Sequence, residues 1–274
     1  MKPEMVGPAS NPKARDGATA VTQTLERGLE VLRAFRCEAK PLGNGAIVER
    51  TGLPKATVSR ITSTLVSLGY LHRSSSTGRY QLGTGMLGIG NAYLEISSVR
   101  RAARPIMQQF ATRHDVSIGL ASPDRLNMIY TVWCRSPKTL TLRLTAGSML
   151  PMARTAVGKA YLWALPARKR RELIARIKQE EGTRASEILD GIHSAFEDLD
   201  RNGYCIAIAE YQKNTFGIAV PLVFDDGQTI MSLGGGSARL NVKESVLRRT
   251  VALDLIRTAA QLHAAIADTR ELEF

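Results

Sequence analysis

The chain has 274 residues, enough for two domains that each bury a core. Its apolar content of 44% suits a water-soluble globular protein, and its longest apolar runs, such as 218–224 (IAVPLVF), are far too short to cross a bilayer, which excludes a spanning membrane protein. The net charge of +12 divides evenly over unequal portions: residues 1–82 hold 12 Lys/Arg against 6 Asp/Glu and residues 83–274 hold 25 against 19, so the shorter portion is the more densely basic and calls for a polyanionic partner.

Residues 1–20 are rich in Pro, Gly and Ala and lack the apolar core of a signal peptide, so a flexible N-terminal arm and a cytoplasmic location are expected. Residues 21–36 place Leu25, Leu29, Leu32 and Val31 or Phe35 at helical spacing. After the break at KPLGNG, Asn44 is positioned to cap a short helix that Gly52 ends at Thr51. Pro54 suits the first turn of a third helix whose buried stripe is Val58, Ile61, Leu65 and Leu68. Its opposite face carries Ala56, Ser59, Arg60 and Ser63, with Lys55 and Thr57 on the flanks. Small and hydrogen-bonding residues with one Arg are what a helix entering a major groove presents. Two short strands within 70–82 follow, with Leu71, Tyr80 and Leu82 inward and His72, Arg73 and Arg79 able to reach a sugar-phosphate backbone. No acid lies between Glu49 and Glu95. Charge alone fits a solvated basic face equally well, but periodicity, turn chemistry and charge together predict a winged helix-turn-helix over 21–82. Its DNA-binding candidates are Lys55, Ala56, Thr57, Ser59, Arg60, Ser63, Arg73 and Arg79.

Residues 83–100 predict a helical linker, and the helix after it is expected to begin or break at Pro105. Strands are expected at 116–122, 127–134 and 139–145, helices at about 156–165, 167–180 and 186–202, strands at about 204–210, 215–223 and 229–235, and a last helix at about 243–268. Strands on both sides of a helical middle predict an α+β domain, 101–274, with an antiparallel sheet.

Chemistry-bearing residues are sparse. Cys37, Cys134 and Cys205 are scattered, as are His72, His114, His193 and His263, so neither a metal site nor a redox pair is expected. Ser237 in GGGSARL has no His or acid tied to it by sequence, and Lys159 is expected to be solvated or ion-paired. No catalytic residue and no cofactor is predicted. The turn into a helix at RTAVGKA (154–160) instead offers free backbone N–H groups, which suit a carboxylate.

The runs RGLEVLRAF, TGLPKATVSRITSTLVSLGYL and GRYQLGTGMLGIG, then GSMLPMARTAVGKAYLWALP and RNGYCIAIAEYQKNTFGIAVPLVFDDGQTIMSL, together resemble the IclR family of bacterial transcriptional regulators over about residues 22–268. The resemblance implies a GAF-like effector-binding domain after the DNA-binding half. It implies a pocket at Arg154, Thr155, Ala156, Val157 and Gly158, Ala207, Gly217, Gly234 and Gly236. Tyr130, Trp133 and Met149 are candidate walls. The chain departs from the family pattern where Ala153-Arg154-Thr155 stands for His-Ala-Thr, where Ala207-Ile208-Ala209-Glu210 stands for an acidic run, and where Gly234 and Gly236 replace serines. Those glycines are expected to enlarge the space, and Arg154 is placed to pair with a bound carboxylate. The partners implied are double-stranded operator DNA, a small-molecule effector of organic-acid type, and a second copy of the chain, as a homodimer or a dimer of dimers. An enzyme domain with a basic DNA-binding appendage is the alternative.

Overall fold

The structure, a computed structural model, describes residues 22–36, 40–138, 144–237 and 247–267. The expected N-terminal arm, Cys37 and most of the strand expected at 139–145 lie outside the described residues. The chain divides into two compact units, with the division between Leu87 and Gly88.

In the first unit, α1 (Gln23–Arg33), α2 (Asn44–Thr51) and α3 (Lys55–Ser67) precede a hairpin of β1 (Leu71–Arg73) and β2 (Tyr80–Leu82). Gly52 ends α2 in the left-handed region, φ 66°, with its N–H on the Val48 carbonyl at 2.8 Å, a conformation that costs glycine little. The chain can therefore turn within three residues into α3, which Pro54 begins. Val31, Phe35, Leu42, Ile47, Val58, Ile61, Leu71 and Tyr80 form the core. Each such side chain stabilises the unit by about 1.5–3 kcal/mol through burial.

Four details differ from expectation. Gly43, not Asn44, is the N-cap of α2, and the Asn44 amide instead donates to Ser59 Oγ at 2.7 Å. Leu68 is 62% exposed because α3 ends at Ser67, before the stripe can complete another turn. Leu82 is exposed although its cross-strand partner Leu71 is buried, because it closes the hairpin at the edge of this small core. Leu25 and Leu29 on α1 are exposed as well.

The helix α4 (Thr84–Ile96) crosses the division between the units, and α5 (Ser98–His114) follows. Arg100 and Arg101 donate to the last carbonyls of α4, at Leu94, Glu95 and Ile96. Pro105 neither begins nor breaks α5; it is an exposed residue within a continuous helix.

The second unit is a six-stranded antiparallel sheet in the order β5-β4-β3-β8-β7-β6. Its strands are β3 (Ser117–Asp124), β4 (Asn127–Arg135), β5 (Met149–Pro151), β6 (Cys205–Ile208), β7 (Phe216–Phe224) and β8 (Thr229–Ser237). One face carries α5 and α9 (Ala252–Ala267), where Met107, Phe110, Leu255 and Leu262 meet Ile118, Leu120, Ile218 and Leu233. The other face carries α6 (Ala156–Ala164) and α8 (Ala185–Asn202), with α7 (Ala167–Glu181) beyond, and packs Val157, Ala160, Ile188 and Ile192 over Ala121, Ala207 and Ala219. The alternation of large residues toward α5 and small ones toward α6 follows from the strand period of two. It lets α6 sit close to the sheet. A five-residue π-helical turn, Leu247–Val251, precedes α9.

Candidate functional site

Two surfaces gather the residues singled out by the sequence. On the first unit, α3 buries Val58, Ile61 and Thr62, which leaves Lys55, Ala56, Ser59, Arg60 and Ser63 exposed and Thr57 half-buried. The Ser59 hydroxyl accepts from Asn44, which ties α2 to the outer face of α3, while the buried Val58 and Ile61 set the rotation of the helix. On the hairpin, Arg73 lies back over its own strands, with Nε donating to the Gly78 carbonyl at 3.4 Å and the guanidinium 5.7 Å from the Tyr80 ring centre. Arg79 is exposed. Arg50, though basic and in the acid-free stretch, donates to the Ala34 carbonyl at 2.8 Å and holds the end of α1.

On the second unit a cavity of about 80 Å³ lies between the sheet and the start of α6. At roughly 10–15 Å³ per water-sized position, it has room for a compact molecule. Of the residues predicted for it, Arg154, Thr155, Ala156, Val157, Ala207, Gly217, Gly234 and Gly236 line it, as do Tyr130 and Trp133. Gly158 and Met149 do not. A Cβ on Gly158 would stand 2.0 Å from the Met152 carbonyl oxygen, so this glycine admits the 3-10 turn Met152–Arg154 against α6. Thr155 caps α6, its hydroxyl accepting from the Gly158 N–H at 3.3 Å and donating to the Pro151 carbonyl at 2.9 Å.

The glycines of β8 do not enlarge the space as expected. A Cβ on Gly234 would lie 2.3 Å from Val157 Cγ1, and one on Gly236 2.7 Å from the Phe216 carbonyl oxygen. The room left by the missing side chains is taken up by α6 and by β7. Gly217 is the exception, since a Cβ there meets the Ala156 methyl at an ordinary 3.6 Å and the volume beyond it is cavity.

Residues the sequence did not assign to the cavity complete the wall: Ser117, Leu144, Tyr211, Thr215, Phe216 and Ser237 among them. Gly119 on β3 was missed too. A Cβ there would stand 2.2 Å from Tyr130 and 2.9 Å from Trp133, so it makes room for both rings, whose centres lie 4.7 Å apart. A lone glycine inside a strand is the signal that marks such a close approach. Burial, reinforced by Tyr211, raises the Tyr130 phenol, which therefore stays protonated and able to donate.

The charges around the cavity are matched. Arg154 donates through Nε and Nη2 to the two carboxylate oxygens of Glu181, and that bond, against some burial, holds its guanidinium firmly protonated. Lys159 is not solvated: it is 1% exposed and paired with Glu210, in a space that Gly191 on α8 leaves open. Burial pushes the nearby Cys205 thiol up to about 12, with Lys159 opposing and Asp198 and Glu210 adding, so it is a neutral donor to the Ala156 carbonyl and no nucleophile. No Asp, Glu, His or Lys lies among the described residues lining the cavity, so nothing there supplies a general base for Ser237.

A helix-turn-helix with a strand hairpin, followed by an antiparallel α+β unit that encloses a small cavity, is the plan of a ligand-responsive DNA-binding regulator. The IclR helix-turn-helix domain matches residues 24–75, and the bacterial transcriptional regulator IclR C-terminal domain matches 91–264. The chain belongs to the IclR family of transcriptional regulators. It is 34% identical over 211 residues to the regulator TsaQ1/TsaQ2 of Comamonas testosteroni, spanning 76% of each chain. It is 27% identical over 234 residues to the Pca regulon regulatory protein of Pseudomonas putida, spanning 84% of this chain and 79% of that one. Among solved structures, an IclR family transcriptional regulator from Brucella abortus superposes with a TM-score of 0.84 at 34% identity, covering 94% of this chain and 96% of that one.

Proposed function

We propose that this regulator reads its operator through the outer face of α3 and takes a small organic acid in the cavity of its second unit. Lys55, Ala56, Thr57, Ser59, Arg60 and Ser63 enter the major groove. Arg73 and Arg79 hold the flanking sugar-phosphate backbone. The observation that carries the DNA reading is the face itself: exposed, turned outward by the buried Val58 and Ile61, and drawn from a stretch with no acid between Glu49 and Glu95. The functional form is a homodimer or a dimer of dimers. Leu25 and Leu29 on α1 and Leu87, Ile89, Tyr93 and Ile96 on α4 are large apolar side chains that a single chain leaves exposed, and a second copy would cover them. The acid binds where the start of α6 presents the N–H groups of Ala156 and Val157 beside apolar walls.

The test is selection of binding sites from a random duplex library, followed by titration of variants on the selected site. A two-fold symmetric site is expected. Arg60→Ala should lower the preference for it over random DNA by about 1–3 kcal/mol, the worth of a bidentate guanine contact. Arg73→Ala and Arg79→Ala should weaken all duplexes alike and reduce the slope of log K against log salt by about one each. An Arg60→Ala protein with unchanged preference would remove α3 from the groove.

A further inference from the structure

The helix α5 carries Arg100, Arg101, Arg104 and Arg113, and the chain has no acid from residue 96 to residue 114. Its buried side is Val99, Ala103, Met107, Phe110 and Ala111, which turns Arg101, Arg104, Pro105, Gln109, Thr112 and Arg113 outward. Two shallow grooves run along that outer side and share Pro105 and Gln108. The face is polar throughout, since none of the large apolar side chains left exposed among the described residues lies on α5. Arginines on α7 and α8 have carboxylates in reach, as Arg168 has Glu172 and Arg201 has Glu197, and at the end of α5 Arg113 is held by Asp254. The first three arginines of α5 differ. Arg100 and Arg101 donate to main-chain carbonyls of α4, which leaves their charge uncompensated, and Arg104 has no carboxylate partner among the described residues.

A face of guanidinium, amide and hydroxyl groups, with no acid and no exposed apolar bulk, is complementary to a row of phosphates. Arginine forks pair with phosphate oxygens, and Gln and Thr side chains add hydrogen bonds to the same backbone without reading sequence. A lipid surface would instead ask for apolar side chains to insert, which α5 does not expose. Between β2, which closes the hairpin of the first unit, and α5 the chain consists of Gly83, α4 and Ser97. A duplex held by the first unit is therefore offered to α5 at the high effective concentration of a short tether. We infer that the second unit grips DNA itself: the outer face of α5, through Arg101 and Arg104, holds phosphates that flank the operator. This needs only that the regulator sit on a duplex, not that α3 lie in the groove, so the two readings can fail separately.

The full-length protein can be titrated by fluorescence anisotropy against two duplexes: the selected operator cut to the bases that selection holds constant, and the same core with about 10 base pairs, one helical turn, added on each side. The wild type should bind the flanked duplex about tenfold more tightly at low salt, with a slope of log K against log salt steeper by about two. Arg101→Gln with Arg104→Gln should remove that gain while leaving the cut duplex, and the preference for the operator core over a scrambled core, unchanged. Arg101 also holds the end of α4, so Arg104→Gln alone is the cleaner variant. It should lose about threefold on the flanked duplex only, at an unchanged melting temperature, and Arg104→Lys, which keeps the charge, should lose less. Arg60→Ala should do the reverse, lowering the preference and keeping the gain from the flanks. A wild type that gains nothing from the flanks, or a gain that survives the double substitution, would overturn the inference. So would an equal loss on both duplexes with a smaller assembly in sedimentation, which would give this face to a second copy of the chain.

Discussion

The Lys159–Glu210 pair makes an asymmetric prediction. The lysine is 1% exposed on its side chain and the glutamate 32%, so the two ends of one ion pair differ in how well water can replace the lost partner. Glu210→Gln strands an ammonium group between α6 and α8 with no counter-charge. Removing one member of a buried pair costs about 3–5 kcal/mol, and the partly exposed position of Glu210 puts the expected loss at the lower end, about 3 kcal/mol. Lys159→Met fills the same channel with apolar atoms and releases the carboxylate to water, so its cost should stay within about 1 kcal/mol. At about 2–4 °C per kcal/mol for a unit of this size, the glutamine variant should melt about 6–12 °C below the wild type and the methionine variant within about 4 °C of it. Thermal unfolding followed by circular dichroism without ligand reads both. Combining the two substitutions should recover most of the loss, since the orphaned charge is then gone. A methionine variant that melted below the glutamine variant would refute this account of the pair.

Two further outcomes follow from the geometry. Gly217→Val should fill the cavity and abolish ligand-induced stabilisation with little change in ligand-free melting, whereas Gly234→Val should lower ligand-free melting by about 1–3 kcal/mol because Val157 occupies its space; equal melting of the two would contradict the assigned contacts. Burial pushes the Asp254 carboxyl up, but the hydrogen bonds from His114 and Arg113 outweigh it and leave the group below its ordinary 3.8. With the folded value depressed, the stabilisation is present above pH 3.8 and is lost as pH falls through the lower folded value, so Asp254→Asn should flatten the acid limb of an unfolding-versus-pH curve while costing about 1–2 kcal/mol near neutrality. An unchanged acid limb would exclude Asp254 as a source of acid lability.

The helix-turn-helix was legible because its information is local. The stripe Val58 and Ile61, the left-handed Gly52 and the Pro54 start all act within a few residues, and the error at Leu68 came from extending a period past the end of its helix. The cavity was only partly legible. Its residues at the start of α6 form one run, and Tyr130 and Trp133 were expected as walls, but Ser117 joins them only through strand pairing, opposite Gly236 of β8, and no spacing along the chain encodes that. Gly234 and Gly236 were misread for the same reason, since what occupies the space beside a glycine comes from another element, here α6 and β7. The counter-charge of Lys159 lies 51 residues away, and nothing near the lysine announces it.

The matched charges of the cavity wall have a consequence for how the protein responds to its surroundings. An acid seated at an uncharged helix start, as proposed, would displace few counterions, whereas a basic helix on a duplex releases one for nearly every phosphate it touches. Raised salt would then loosen the grip on operator DNA and leave the affinity for the proposed acid where it was.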